Sequence, residues 1–375
     1  MTGRLPLPAH DPSAAYLHVP FCRHRCGYCN FSVVSGRDDL FDAFLDAANA
    51  ESNNLFAGER RPVQTLFIGG GTPTHLDPRR LGRLLNWVGQ QFPPSATESD
   101  AYEFSVEANP SDLVGDVGQQ RCQVLAHAGV NRVSMGVQSF DPRHLQTLQR
   151  DHHAEIVVDA IAHLRSVGIT NVSIDLIFGV PDADTNAAES HHYDPRAADP
   201  LEIWDRDLAR ALQLPIQHLS TYALTFEKGT QFWNRQNSGR MVAIEESIEV
   251  AMYRRAMDQM RDAGWLHYEI SSFAADPSKR CRHNINYWNG GGWYALGPGA
   301  AGFVDGKRTT NHRSPTTYIK RVLRGESPIA ETETINHEQW ARERAAFGIR
   351  RIDQGIDMAK IHRESGFDLA AACQS

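Results

Sequence analysis

The chain has 375 residues, 41% of them hydrophobic and 22% charged, with a net charge of −7; this suits a globular protein with a full-sized core, and with no long basic run it argues against a nucleic-acid-binding surface. No apolar stretch reaches the length a bilayer requires and the first residues carry no basic leader, so a cytoplasmic protein is expected. Six cysteines in a chain this long, three of them within one short stretch, do not make a disulfide framework and point to metal binding or catalysis instead.

After a lead-in over 1–14, short β-branched or aromatic runs alternate with longer helical patterns, the mark of βα units around a parallel sheet. A strand over 15–19 is followed by Cys22, Cys26 and Cys29, then by a helix over 38–57. The strand over 65–68 runs into Gly69-Gly70-Gly71-Thr72-Pro73, with a helix over 79–90 beyond. Next come a strand over 103–107 followed by Glu107-Ala-Asn109-Pro110, a helix over 115–127, and a strand over 132–137 running into Gly136-Val-Gln138. A helix over 154–167 and a strand over 171–178, with Asp175 and then Gly179-Val-Pro181, complete the fifth unit. Residues 182–200 read as a polar surface insertion, in which His191-His192-Tyr193-Asp194 suits a solvated loop better than a metal site. A helix over 201–212, a strand over 218–224 containing Tyr222 and a helix over 244–263 close the pattern.

Polar or glycine-rich groups thus follow six successive strands, and in βα barrels those loops build the active site. The expected fold is α/β: a partial (β/α)6 TIM-type barrel over 15–266, and a smaller, mainly helical C-terminal region over 267–375 that turns charged and helical from about His337. Cys122 is expected in the core, and Cys373 lies in the tail.

The densest chemistry is Cys22-Arg-His-Arg-Cys26-Gly-Tyr28-Cys29. Thiolates packed so closely need a cation. One candidate is a structural zinc completed by His18 or His24, but no second cysteine pair lies at zinc-site spacing. The other is an iron–sulfur cluster, which normally takes four protein ligands and would here leave one iron open.

The C-x₃-C-x₂-C spacing with Tyr28 before the last cysteine resembles the radical S-adenosylmethionine (SAM) superfamily. That resemblance implies a [4Fe–4S] cluster whose open iron holds SAM and, once reduced, splits its sulfonium to a 5′-deoxyadenosyl radical. Tyr16-Leu-His18-Val-Pro20-Phe21-Cys22, Gly69–Pro73, Ser134-Met-Gly-Val-Gln138-Ser-Phe140 and Asp175-Leu-Ile-Phe-Gly-Val-Pro181 further resemble the oxygen-independent coproporphyrinogen III oxidase family, from about Tyr16 to Arg351. Aligning the motifs implies that Tyr16, Gly71, Glu107 and Ala301 meet the cluster-bound SAM. Tyr28, Thr72, Gln138, Arg150, Asp175 and Ala223 match contacts to a second SAM in the oxidases. Taken alone, Glu107 and Asp175 also suit satisfied strand-end carboxylates, and Arg150 an ordinary surface charge.

Oxidases of that family carry a fourth cysteine two residues beyond the third, where this chain has Phe31. The departure resembles the haem-chaperone (HemW-like) branch, as does Cys281-Arg-His283-Asn284-Ile-Asn-Tyr287-Trp288, similar to that branch's H-N-x-x-Y-W haem motif. The branch implies haem as cargo held by His283, Tyr287 and Trp288, a haem-accepting protein that can be membrane-associated, and an electron donor. Against this, His283 and Trp288 also suit a plug at one end of the barrel. The alternative activity is decarboxylation of coproporphyrinogen III propionates to vinyl groups. Related chains extend past 355 with a further small helical and winged region, so a shortened C-terminal region is expected.

Overall fold

The computed structural model describes residues 7–95, 102–181 and 199–372. Six strands, β1 (Ala14–Val19), β2 (Thr65–Gly70), β3 (Glu103–Ala108), β4 (Arg132–Gln138), β5 (Asn171–Phe178) and β6 (His218–Ala223), pair in parallel in chain order. Between and after them lie α1 (Phe41–Phe56), α2 (Pro78–Gln91), α3 (Gly115–His127), α4 (Pro142–Thr147), α5 (Ala154–Ser166), α6 (Pro200–Gln213), α7 (Gln231–Asn237) and α8 (Glu246–Asp262). Helices α2 and α6 start where the sequence supplies both devices for starting one: an aspartate, Asp77 or Asp199, accepts from a first-turn N–H, and proline follows it. The short α4 and α7 were not anticipated. The insertion read over 182–200 falls, except for its last two residues, outside the described residues, as does Cys373.

Period-2 alternation sorts each strand into two faces. Ala15, Leu17 and Val19, Leu66 and Ile68, Phe104 and Val106, Val133, Met135 and Val137, and Val172, Ile174 and Leu176 are buried against apolar helix residues such as Phe44, Leu84, Leu125, Ile161, Trp204 and Met252. Each Val, Leu, Ile, Phe or Met side chain among them withdrawn from water contributes about 1.5–3 kcal/mol. The opposite face is unusually polar for a barrel interior: Tyr16, His18, Thr65, Glu103, Ser105, Glu107, Arg132, Ser134, Ser173, Asp175, His218, Ser220 and Tyr222. Residues from β1 to β6 line a common cavity, so the sheet curls around this polar face.

The C-terminal region supplies more than helices. Two strands, β7 (Leu266–Glu269) and β8 (Ser272–Ala274), add antiparallel to β6. At the other edge β9 (Trp293–Leu296) pairs in parallel with β1, and β10 (Ala301–Val304), β11 (Lys307–Asn311) and β12 (Ile329–Thr334) continue antiparallel. One sheet results, in the order β12-β11-β10-β9-β1-β2-β3-β4-β5-β6-β8-β7. The parallel wall has seven strands where six were expected. The remaining α-helices are α9 (Arg282–Trp288), α10 (Pro315–Leu323), α11 (His337–Gly348), α12 (Met358–Ser365) and the single-turn α13 (Leu369–Ala372).

A buried carboxylate ties the two parts together. Glu51 of α1 accepts hydrogen bonds from the Tyr318 hydroxyl (2.5 Å), the Asn311 amide (2.5 Å) and the Gly297 N–H (3.0 Å). No helix among the described residues is long and apolar enough to cross a membrane.

Candidate functional site

The cysteine loop leaves β1 at Pro20 and is closed by a short parallel pairing of Phe21–Cys22 with Val34–Ser35. His18 holds it from behind: its Nε2 donates to the Ser32 carbonyl (3.0 Å), and Nδ1 faces the Tyr16 hydroxyl (3.0 Å). Burial lowers the pKa of His18 to about 4, so the ring is neutral. Space for it comes from Gly70, whose φ is +107° and where a Cβ would stand 2.4 Å from the imidazole. With both nitrogens engaged, His18 is not available to complete a zinc site.

Cys22, Cys26 and Cys29 all line a cavity of about 700 Å³ at the C-terminal end of the strands. Cys22 Sγ is 3.7 Å from Thr72 Oγ1, and Cys26 Sγ is 3.6 Å from His24 Nε2 and 3.8 Å from an Arg150 nitrogen. Burial pushes the Cys22 thiol up to about 12 and raises Cys29, so their thiolates form only against a strong positive charge. Among the described residues no group of three or more His, Cys, Asp or Glu side chains closes on one ion position. Three thiols of one loop on one cavity are the donor set of a cluster that spreads its three ligands over three irons. The donors and their setting therefore fit a [4Fe–4S] centre.

The cavity wall is drawn from every parallel strand end between β2 and β6. Gly70, Gly71 and Thr72, Glu107, Gly136 and Gln138, Asp175, and Tyr222 and Ala223 line it, with Tyr28 and Arg150. The glycine turn is zipped onto the cysteine strand: Gly71 N donates to Val19 O (2.8 Å) and Thr72 N to Phe21 O (2.7 Å). Glu107 accepts from Gly70 N (2.9 Å), and a Cβ on Gly69 would lie 2.7 Å from that carboxyl. Burial raises the pKa of Glu107 to about 7 and that of Asp175 to about 6. A bulge in β4 between Gly136 and Gln138 places Gln138 at φ +69°, outside the usual range for a side-chain-bearing residue. Arg150 donates to Gly136 O (2.7 Å), tying this bulge to the cysteine loop.

Below, a chamber of about 190 Å³ shares Glu107, Ser134, Asp175 and Tyr222 with the main cavity. Tyr16, Phe67, Arg132, Ser220, Cys281, His283, Asn284 and Tyr287 complete it. His283 is 2% exposed; its nitrogens face Thr65 Oγ1 (3.0 Å) and the Tyr287 hydroxyl (2.7 Å), and its ring stacks on Phe67. Burial lowers its pKa to about 3. Glu103 caps α9, accepting from the N–H groups of Arg282 (3.0 Å) and His283 (3.1 Å). Trp288 points elsewhere, under the Arg350 guanidinium at 4.4 Å and beside Phe347. The three aromatic residues of this motif are therefore not gathered on one surface.

Eleven of the expected contacts, Cys22, Cys26, Tyr28, Cys29, Gly71, Thr72, Glu107, Gln138, Arg150, Asp175 and Ala223, share the main cavity, while Tyr16, His283 and Tyr287 line the chamber below. Ala301 lines neither: it begins β10, one strand beyond the parallel wall, where its carbonyl accepts from Trp293 Nε1. Arg132 and Arg313 were missed. Strand alternation could have found Arg132, two residues before Ser134 on the inner face. Arg313 lines the cavity rim and donates to Asn30, a contact across 283 positions that no local pattern announces.

Residues 16–190 match the model of the radical SAM superfamily. The chain is 33% identical over 357 residues to the protein named heme chaperone HemW of Bacillus subtilis (strain 168), covering 95% of this chain and 88% of that one. To the heme chaperone HemW of Mycobacterium tuberculosis (strain ATCC 25618 / H37Rv) it is 33% identical over 369 residues, with 96% and 87% covered. Among solved structures, coproporphyrinogen III oxidase (HemN) from Escherichia coli, described as a radical SAM enzyme, superposes with a TM-score of 0.78 at 21% identity. It covers 97% of this chain and 81% of the solved one, and shows that the fold is shared.

Proposed function

Because the chain belongs to the HemW family of the radical SAM superfamily, we propose that it is a haem carrier that binds haem and passes it to acceptor proteins. The superfamily implies a [4Fe–4S] cluster and SAM; Cys22, Cys26 and Cys29 would hold the cluster. When bound, that pair supplies one-electron reduction of a sulfonium. The residues around it bind and orient. Glu107 and Asp175 offer carboxylates suited to an ammonium group or ribose hydroxyls, and Gly69 to Gly71 let backbone come close to a small ligand. Arg150 and Thr72 sit against Cys26 and Cys22 and steady the loop.

The observation that carries the carrier reading is Phe31, standing where the resembling oxidases have a cysteine, in a chain one-third identical to haem chaperones over nearly its whole length. Haem, a haem-accepting protein and an electron donor are the partners this reading requires. The test has two arms on the anaerobically reconstituted protein. Haem titration should give a saturable visible-absorption change with the cluster retained. Incubation with coproporphyrinogen III, SAM and a reductant should yield no vinyl product; its appearance would overturn the carrier reading in favour of the oxidase.

A further inference from the structure

Phe31 is 60% exposed at the rim of the main cavity. Its neighbours make this unusual. Tyr28, three residues earlier, packs edge-on against Phe232, whereas no aromatic contact holds Phe31 among the described residues. Nor is Phe31 on a loose tip: its carbonyl accepts from Val33 N (3.0 Å), and the preceding Asn30 is held by Arg313 through both its backbone and side-chain oxygens. A rigid turn presents a large apolar face to water.

The same rim is cationic. Arg23, Arg25 and Arg313 are exposed there. Arg23 is compensated by Asp151 (3.0 Å) and Asp112 (3.8 Å). Arg25 donates only to the Cys29 carbonyl (3.3 Å) and Arg313 only to Asn30, so among the described residues neither guanidinium has a carboxylate within 4 Å. Their charge remains at the lip. Across the mouth stand Tyr222, which is 43% exposed, Leu224, Thr225 and one acid, Glu227.

An exposed aromatic plate flanked by two uncompensated guanidiniums complements a ligand with flat apolar faces and carboxylates on one edge. We propose that this lip is the seat of the haem, with the macrocycle against Phe31 and its propionates toward Arg25 and Arg313; this rests on the carrier reading above. The chamber holding His283 is too small for a tetrapyrrole, and both nitrogens of that ring are already hydrogen-bonded. A seat at the lip recognises ring and carboxylates without needing iron. It also covers the mouth through which a ligand reaches the cysteine cavity.

The test compares haem titrations of the reconstituted wild type, Phe31→Ala, Phe31→Trp and His283→Ala, with iron content as the cluster control. Phe31→Ala should weaken haem binding about tenfold, the order expected for an aromatic plate, and Phe31→Trp should restore it. Iron-free protoporphyrin should compete with haem, its dimethyl ester should compete poorly, and bound haem should slow SAM release. Absence of haem binding by the wild type would defeat the carrier reading. Wild-type binding that Phe31→Ala leaves unchanged, or that protoporphyrin cannot displace, would overturn the lip seat and leave the carrier reading standing.

Discussion

Replacing Gly71 with alanine tests how the barrel holds its cysteine loop. An alanine Cβ there would lie 2.6 Å from the Phe21 carbonyl oxygen and 2.8 Å from that of Val19. Both are backbone atoms and cannot rotate away. Ordinary contact begins near 3.4 Å, so the ends of β1 and β2 must part by about 0.8 Å. The same two carbonyls accept the hydrogen bonds from Gly71 N and Thr72 N, which would stretch from 2.8 and 2.7 Å to the edge of bonding range. Their loss costs about 1–3 kcal/mol together, a fall of only a few degrees in Tm for a chain of this size. The larger effect falls on the metal, because Cys22 adjoins Phe21 and thiolate–metal distances tolerate about 0.2 Å. Gly71→Ala should therefore lose most of its iron and sulfide while staying folded. Gly82→Ala is the control: its Cβ would meet only a Val124 methyl at 3.6 Å, within α2, and should leave iron unchanged and raise Tm slightly. A Gly71→Ala protein with full iron content and wild-type Tm would refute the reasoning.

Glu51→Ala removes the acceptor of three buried donors, of which the Asn311 amide keeps the Gly297 carbonyl, and should cost about 3–5 kcal/mol by denaturant unfolding, with Glu51→Gln costing less because it keeps an acceptor oxygen. Glu107 makes stability depend on pH. Burial raises its folded pKa to about 7 against a usual value of 4.5, so the folded state keeps a proton that the unfolded chain releases. Its stabilising contribution is therefore complete below about pH 4.5 and is lost as pH rises to about 7. Chemical denaturation across that range should show the slope, and Glu107→Gln should make it shallower, with the buried Glu51, Asp175 and Asp207 supplying the rest; equal slopes would exclude Glu107 as a source. His283→Ala removes the partner of Thr65 and Tyr287 and opens a cavity under Phe67, so a loss of about 2–4 kcal/mol in unfolding free energy is expected, with iron content retained.

The barrel units were legible because their signals are local. Alternation such as Val133, Met135 and Val137 against Ser134, Gly136 and Gln138 sorts a strand's faces whatever lies around it, and the glycine turn and cysteine trio sit one link beyond their strands. The strands after Leu266 were missed because they are short, three to six residues each, and because the two that join the barrel, β8 and β9, pair with partners far away in the chain. Ala14, for example, pairs with Trp293. The aromatic helix α9 sends Tyr287 to His283 and Trp288 to Arg350. Tyr287 and Trp288 read as flat surfaces for a ligand, but a helix turns successive side chains about 100° apart, so adjacent residues diverge.

By itself, then, the sequence determined the α/β class, the six strand ends and the residues that converge above them, since backbone periodicity and motif spacing are properties of neighbouring residues. Only the tertiary structure decided that a seventh parallel strand comes from Trp293–Leu296, that His283 turns into the barrel, and that Arg313 holds Asn30 at the lip that Phe31 also lines. Each of these depends on where the sheet's curvature brings distant segments together, and no short-range pattern encodes that.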